Sequence, residues 1–194
     1  MKNRVITISR QFGSGGRTIG KEVAEKLGIP CYDLELIEKA AEKSGLAKEF
    51  IADQGEYAPH GSWFFNALTP RTLDGKSTQD YLWTVQRKII IDLAKQGPCV
   101  IIGRCADYIL KDEADLLKVF IHSDAKARAE RIVNLYGESA ISPEKRLKNK
   151  DKCRRAYYQF YTDMEWGNAE NYHISLDSGK LGIDKCVEII SNLY

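Results

Sequence analysis

The chain has 194 residues, 43% of them hydrophobic, and a formal net charge of +2, which suits one domain of ordinary size with a real buried core. No run of 18 apolar residues indicates a transmembrane helix, and Met1-Lys-Asn-Arg4 leads straight into a short β-rich run instead of a signal peptide. Five scattered cysteines (Cys31, Cys99, Cys105, Cys153 and Cys186), without a C-x-x-C pair, argue for reduced thiols in a cytoplasmic protein and against a disulfide framework or zinc site.

In chain order, Val5 to Ser9 reads as a first strand. A glycine-rich turn, Arg10-Gln-Phe-Gly-Ser-Gly-Gly-Arg-Thr18, follows it. A helix is predicted over 18–27, with Ile19, Val23 and Leu27 on one face. Gly28 ends it, and Pro30 leads into a short strand at 31–33. A helix over 34–43 and a shorter one over 47–54 come next. Residues 55–76 are irregular and aromatic (Tyr57, Trp63, Phe64, Phe65), and read as an insertion that packs on something or receives something. Ser77 caps a helix to Gln96 with Leu82, Val85, Ile89 and Leu93 on its apolar face. Cys99 to Ile102 is a continuous apolar strand that runs into Gly103-Arg104. A strand over 116–121, helices over 125–136 and 143–160, a strand over 172–176 and a helix over 182–193 complete the chain. Alternating strands and helices predict an α/β domain with a parallel sheet covered on both faces. Ligands of such sheets bind beyond the carboxyl ends of the strands, which singles out the loop after Ser9, Asp33, and Gly103-Arg104.

A strand, a glycine turn and a helix together make a phosphate site, because successive amides and the helix N-terminus point at one anion. The standard form is G-x-x-x-x-G-K-[ST]. Gly75-Lys76-Ser77-Thr78 matches its second half but has no strand before it. Gly15 to Lys21 fits G-x-x-x-x-G-K but has Glu22 where a hydroxyl belongs. The third register ends the strand at Ser9 and lays Gly13, Ser14, Gly15, Gly16, Arg17 and Thr18 over the phosphates. It departs from the pattern at Arg10, the first glycine position, and at Gly16, the lysine position, and it puts Arg17 and Thr18 in the hydroxyl region. Amides of Gly13 to Arg17 would cradle the β-phosphate, Arg17 would pair with phosphate oxygens, and Thr18 would put a hydroxyl near Mg²⁺. The alternative is a plain tight strand–helix turn.

The string Ser9-Arg-Gln-Phe-Gly-Ser-Gly-Gly-Arg17, with Cys31-Tyr-Asp33, Val100-Ile-Ile-Gly-Arg104 and Asn171-Tyr-His-Ile-Ser-Leu-Asp177, resembles the cytidylate kinase-like family, a branch of the P-loop nucleoside monophosphate kinases. The resemblance runs through nearly the whole chain. It implies a three-layer P-loop fold, with a five-stranded parallel sheet, an acceptor-binding insertion over about 45–76 and a helical lid over about 137–160, all in one domain of 1–194. It implies ATP and Mg²⁺ as cofactors, with Gly13 to Thr18 on the donor phosphates and Thr18 on the metal. Asp33 would lie beside the acceptor and Arg104 would grip the acceptor phosphate. Arg146, Arg154 and Arg155 would be the lid arginines, catalytic together with Arg17 and Arg104. Where the family has Gly-Arg-Asp, Cys105 follows Arg104, and Asp107 is the nearest aspartate for the acceptor.

Each residue also has a plainer reading. Asp33 would cap the next helix, Asp107 would lie on a helix surface, and Arg104 would pair with a carboxylate at the sheet edge. Asp151 would order its basic neighbours, Cys105 would pack, and His60 and His122 would be ordinary polar positions. The expected activity is ATP-dependent phosphoryl transfer to a small phosphorylated acceptor, CMP or another nucleoside monophosphate. The rivals are a nucleotide-binding regulator with little kinase activity, suggested by Gly16, and a nucleic-acid-binding module using the basic run 145–155. No other basic surface matches that run, so small nucleotides are the expected partners, with neither membrane nor nucleic acid.

Overall fold

The computed structural model describes residues 3–37 and 78–194. The insertion, the helix predicted over 47–54, the Ser77 cap, His60 and all but the last residue of the Gly75–Thr78 match lie outside these residues. Strand β1 (Arg4–Arg10) is followed by α1 (Gly16–Leu27), β2 (Cys31–Tyr32), α2 (Thr78–Gln96), β3 (Cys99–Ile102), α3 (Ala106–Ile109) and β4 (Asp115–His122). The chain continues through α4 (Ala125–Tyr136), α5 (Pro143–Thr162), a 3₁₀ turn (Ala169–Asn171), β5 (Ile174–Asp177), α6 (Ser178–Leu181) and α7 (Ile183–Leu193).

The five strands form one parallel sheet, as expected, and their order is β2-β3-β1-β4-β5. β1 sits at its centre, with Ile8 level with Ile102 of β3 and Val119 of β4. The pleat sends Val5 to one face and Ile6 and Ile8 to the other. On the first face Val5, Cys99 and Ile101 pack with Val85, Ile89 and Leu93 of α2 and with Ile109. On the second, Ile6, Ile8, Val100, Val119 and Ile121 pack with Ile19 and Val23 of α1 and Val187 and Ile190 of α7. Both faces are buried, as the continuous apolar strands require. The three described positions of the predicted α2 face, Val85, Ile89 and Leu93, are all buried.

Several boundaries differ from expectation by one or two residues. β1 runs one residue further, to Arg10, which pairs in register with Ile121. α1 begins at Gly16, two residues early, because Gly15 takes the left-handed conformation that turns the chain into the helix (φ +80°). α3 is one short turn that the apolar pattern does not reveal. The final helix, expected over 182–193, runs unbroken over Ile183–Leu193, and an extra short turn, α6, precedes it across Gly182, which is extended with positive φ. No described helix is long and apolar enough to cross a membrane, and all five cysteines are free thiols.

Candidate active site

Beyond the carboxyl ends of β1 and β2 lies a cleft of about 360 Å³. Gly13, Gly15, Gly16, Arg17 and Thr18 line it from the glycine turn, Asp33 and Glu35 from the end of β2, Arg131, Leu135 and Tyr136 from α4, and Arg154 from α5. The glycine turn of the third register joins the central strand to α1. No side chain caps α1, so its first-turn amides face the cleft side of the turn without an internal acceptor.

The turn is held from behind. Ser14 is buried and does not line the cleft; its hydroxyl donates to the Gln11 carbonyl (2.9 Å), and its own carbonyl accepts from Ser178 Oγ at 2.5 Å. Arg131 donates to the Gly13 carbonyl (2.7 Å) and Arg128 to the Phe12 carbonyl (3.2 Å). Arg154 donates to the Arg10 carbonyl (2.8 Å). With the carbonyls engaged by these guanidiniums, amides are left for a ligand. Asp151 ties the turn to α5: its carboxylate accepts from the Phe12 amide (2.7 Å) and from Arg128 (2.6 Å). Its partner thus comes from α4 and not from the basic neighbours of its own helix.

Arg17 does not point freely at the turn. It pairs with Asp33 (2.6 Å) and Glu35 (3.4 Å), because Asp33-x-Glu35 lies beside the start of α1. Asp33 has both expected roles available: its Oδ1 accepts from the Leu36 amide (3.3 Å) as a helix cap, while Oδ2 takes Arg17 and faces the cleft.

Arg104 lies next to the cleft and not in its wall. Gly103, Arg104 and Cys105 are all left-handed (φ +76°, +57° and +54°), a conformation that costs an ordinary side chain about 1–3 kcal/mol and clusters at functional sites. Gln86 donates to the Arg104 carbonyl (3.4 Å) and to the Tyr157 hydroxyl (3.0 Å), and the Arg104 guanidinium lies over the Tyr157 ring at 5.4 Å. Cys105 is buried, and burial pushes its thiol well above the usual range, as a packing residue requires.

The other expected residues lie elsewhere. Asp107 is neither on a helix surface nor in the cleft: it is buried and accepts from the Tyr158 hydroxyl (2.7 Å). Burial raises its pKa, opposed by that hydrogen bond. Among the lid arginines only Arg154 reaches the cleft. Arg146 donates to the Gly137 carbonyl (3.0 Å), and Arg155 lies over Trp166 at 5.9 Å. Arg10, Arg128 and Arg131 are contributors that pattern reading misses. The signal for the last two is their i, i+3 spacing after β4, which puts both on one helix face.

The model of the cytidylate kinase-like family matches residues 5–180. The chain is 29% identical over 188 residues to the cytidylate kinase of Archaeoglobus fulgidus, covering 95% of this chain and 91% of that one. A solved structure of an uncharacterized protein from Eubacterium ventriosum superposes with a TM-score of 0.74 at 27% identity, over 97% and 96% of the two chains. The shikimate kinase from Acinetobacter baumannii, solved in complex with shikimate, is 15% identical with a TM-score of 0.53, over 100% of this chain and 93% of that one, and shares the fold.

Proposed function

The chain belongs to the cytidylate kinase-like family, and on that premise we propose that it transfers the γ-phosphoryl group of ATP to a small phosphorylated acceptor, with CMP the first candidate. The observation that carries this reading is the turn itself: Gly13, Gly15, Gly16 and Arg17 and the uncapped start of α1 border a cleft flanked by Arg17 and Arg154. Phosphoryl transfer needs alignment and positive charge more than covalent help, and this cleft provides both. The β-phosphate would lie on the turn, with the base towards Leu135 and Tyr136. The acceptor would enter between Asp33 and Arg104. The left-handed Gly103-Arg104-Cys105 turn, braced by Gln86 and Tyr157, fixes where Arg104 stands.

Mg²⁺ fits this donor set. Thr18 and Asp33 both line the cleft, and Mg²⁺ is commonly held by one or two protein oxygens plus substrate phosphates and water. When bound with the nucleotide it would neutralise charge on the phosphate oxygens. Residues 137–142 with α5 form the lid in this reading. Its Arg154 is already seated on the turn, and closure over the acceptor would exclude water.

The test is ADP release measured across CMP, UMP, AMP, GMP, dCMP and non-nucleotide phosphorylated acceptors. At least one acceptor is expected to raise ADP release at least about tenfold above the ATP-only rate. ATP binding without turnover on any acceptor would favour a regulator.

A further inference from the structure

The loop departs from G-x-x-x-x-G-K at two positions, and in space the two departures are one arrangement. A Cβ built on Gly16, the lysine position, would lie 2.6 Å from the Cβ of Arg10 and 2.9 Å from its Cγ. Such contacts are too close for real carbons. Position 16 is therefore bare because the stem of Arg10, at the first glycine position, crosses it. The Arg10 guanidinium then runs on to Gly103 at the end of β3. It occupies the space a side chain there would need, with Cζ 3.0 Å from where that Cβ would stand. This puts the charge between the glycine turn and the Arg104 segment, in the wall of the cleft.

The surroundings of Arg10 are cationic. Arg154 and Arg104 repel it, Arg17 adds a smaller repulsion, and Asp33 is the opposing carboxylate. Asp33 is itself engaged by Arg17. Burial first, and then these arginines, bring the pKa of Arg10 down to about 9, so it stays charged at neutral pH while poorly compensated. Such a cluster is built for an anion that arrives from outside.

We propose that Arg10, reaching across Gly16 from the end of β1, is the catalytic cation that contacts the transferring phosphates, in the place a lysine takes in G-x-x-x-x-G-K loops. This inference rests on the ATP-dependent reading above. It makes Arg10 costly to the empty protein and useful only when phosphate is bound, the opposite of what a structural arginine does.

The test compares the wild type with Arg10→Met, Gly16→Lys and the exchange Arg10→Gly/Gly16→Lys, by thermal melts with and without MgATP, titration calorimetry with MgATP, and turnover. Arg10→Met is expected to melt no lower than the wild type without ligand, to bind MgATP at least about tenfold more weakly, and to lose about a hundredfold in turnover. Gly16→Lys alone is expected to melt lower than the wild type, because its side chain meets Arg10. The exchange restores G-x-x-x-x-G-K, with Arg17 still at the hydroxyl position, and is expected to regain at least about tenfold in turnover over Arg10→Met. MgATP binding and turnover of Arg10→Met within about threefold of the wild type would overturn the proposal. So would a large loss of unliganded stability in Arg10→Met with no recovery of MgATP binding in the exchange. A wild type that binds neither MgATP nor pyrophosphate would overturn the ATP-dependent reading itself.

Discussion

Asp151→Ala is expected to lower the melting temperature by roughly 6–20 °C. Asp151 and Arg128 form a pair whose side chains are only 11% and 12% exposed, and removing one partner of a buried pair costs about 3–5 kcal/mol. For a domain of this length each kcal/mol shifts the midpoint by about 2–4 °C. The loss goes beyond a broken contact, because the same carboxylate accepts from the Phe12 amide and so anchors the glycine turn to α5. ATP affinity is expected to fall several-fold along with stability. Replacing both partners with apolar residues (Arg128→Met/Asp151→Leu) is expected to cost less than Asp151→Ala alone, since no charge is then left buried. Thermal or urea unfolding of the three variants checks this. A change of only 1–2 °C for Asp151→Ala would mean that water already reaches the pair.

Arg154→Ala is expected to lower kcat/KM by about 10–150-fold, the range of one charged hydrogen bond at roughly 1.5–3 kcal/mol. Its guanidinium donates to the Arg10 carbonyl and lies over the Phe12 ring at 5.6 Å, while also facing the cleft. Stability should change little. Arg154 is desolvated, which lowers its pKa; Asp151 attracts it, and Arg104 and Arg128 repel it more weakly, so removing it relieves as well as breaks interactions. Arg154→Lys should recover little, because a lysine lacks the planar fork that bonds a carbonyl and covers a ring together. Steady-state kinetics beside unfolding curves separate the two effects; a fall in stability that matches the fall in activity would make Arg154 a strut only.

The sheet was readable because its strands are unbroken apolar runs, and β3 falls on the predicted residues, Cys99–Ile102. The turn was readable because a strand, four small residues and an apolar helix leave little choice of architecture. Arg10 was not readable as part of the site. Taken position by position, Arg10 and Gly16 are two separate faults in a motif; only the crossing of one by the stem of the other links them. Arg17 stands where a phosphate contact belongs in sequence, yet the carboxylates after β2 hold it, a long-range pairing that local spacing does not encode. Asp107 misled for a related reason. An aspartate just past a sheet-edge turn suggests a surface, but α3 is tucked under Tyr158, and the hydroxyl there makes burial tolerable.

The most direct measurement is titration calorimetry of the wild-type protein with ATP, ADP and adenosine in Mg²⁺, with tripolyphosphate as competitor. If the turn and its arginines hold the donor phosphates, affinity rises steeply from adenosine through ADP to ATP, falls with added salt, and yields to tripolyphosphate. Adenosine binding as tightly as ATP, or ATP affinity untouched by tripolyphosphate, would contradict a phosphate cradle at Gly13–Thr18.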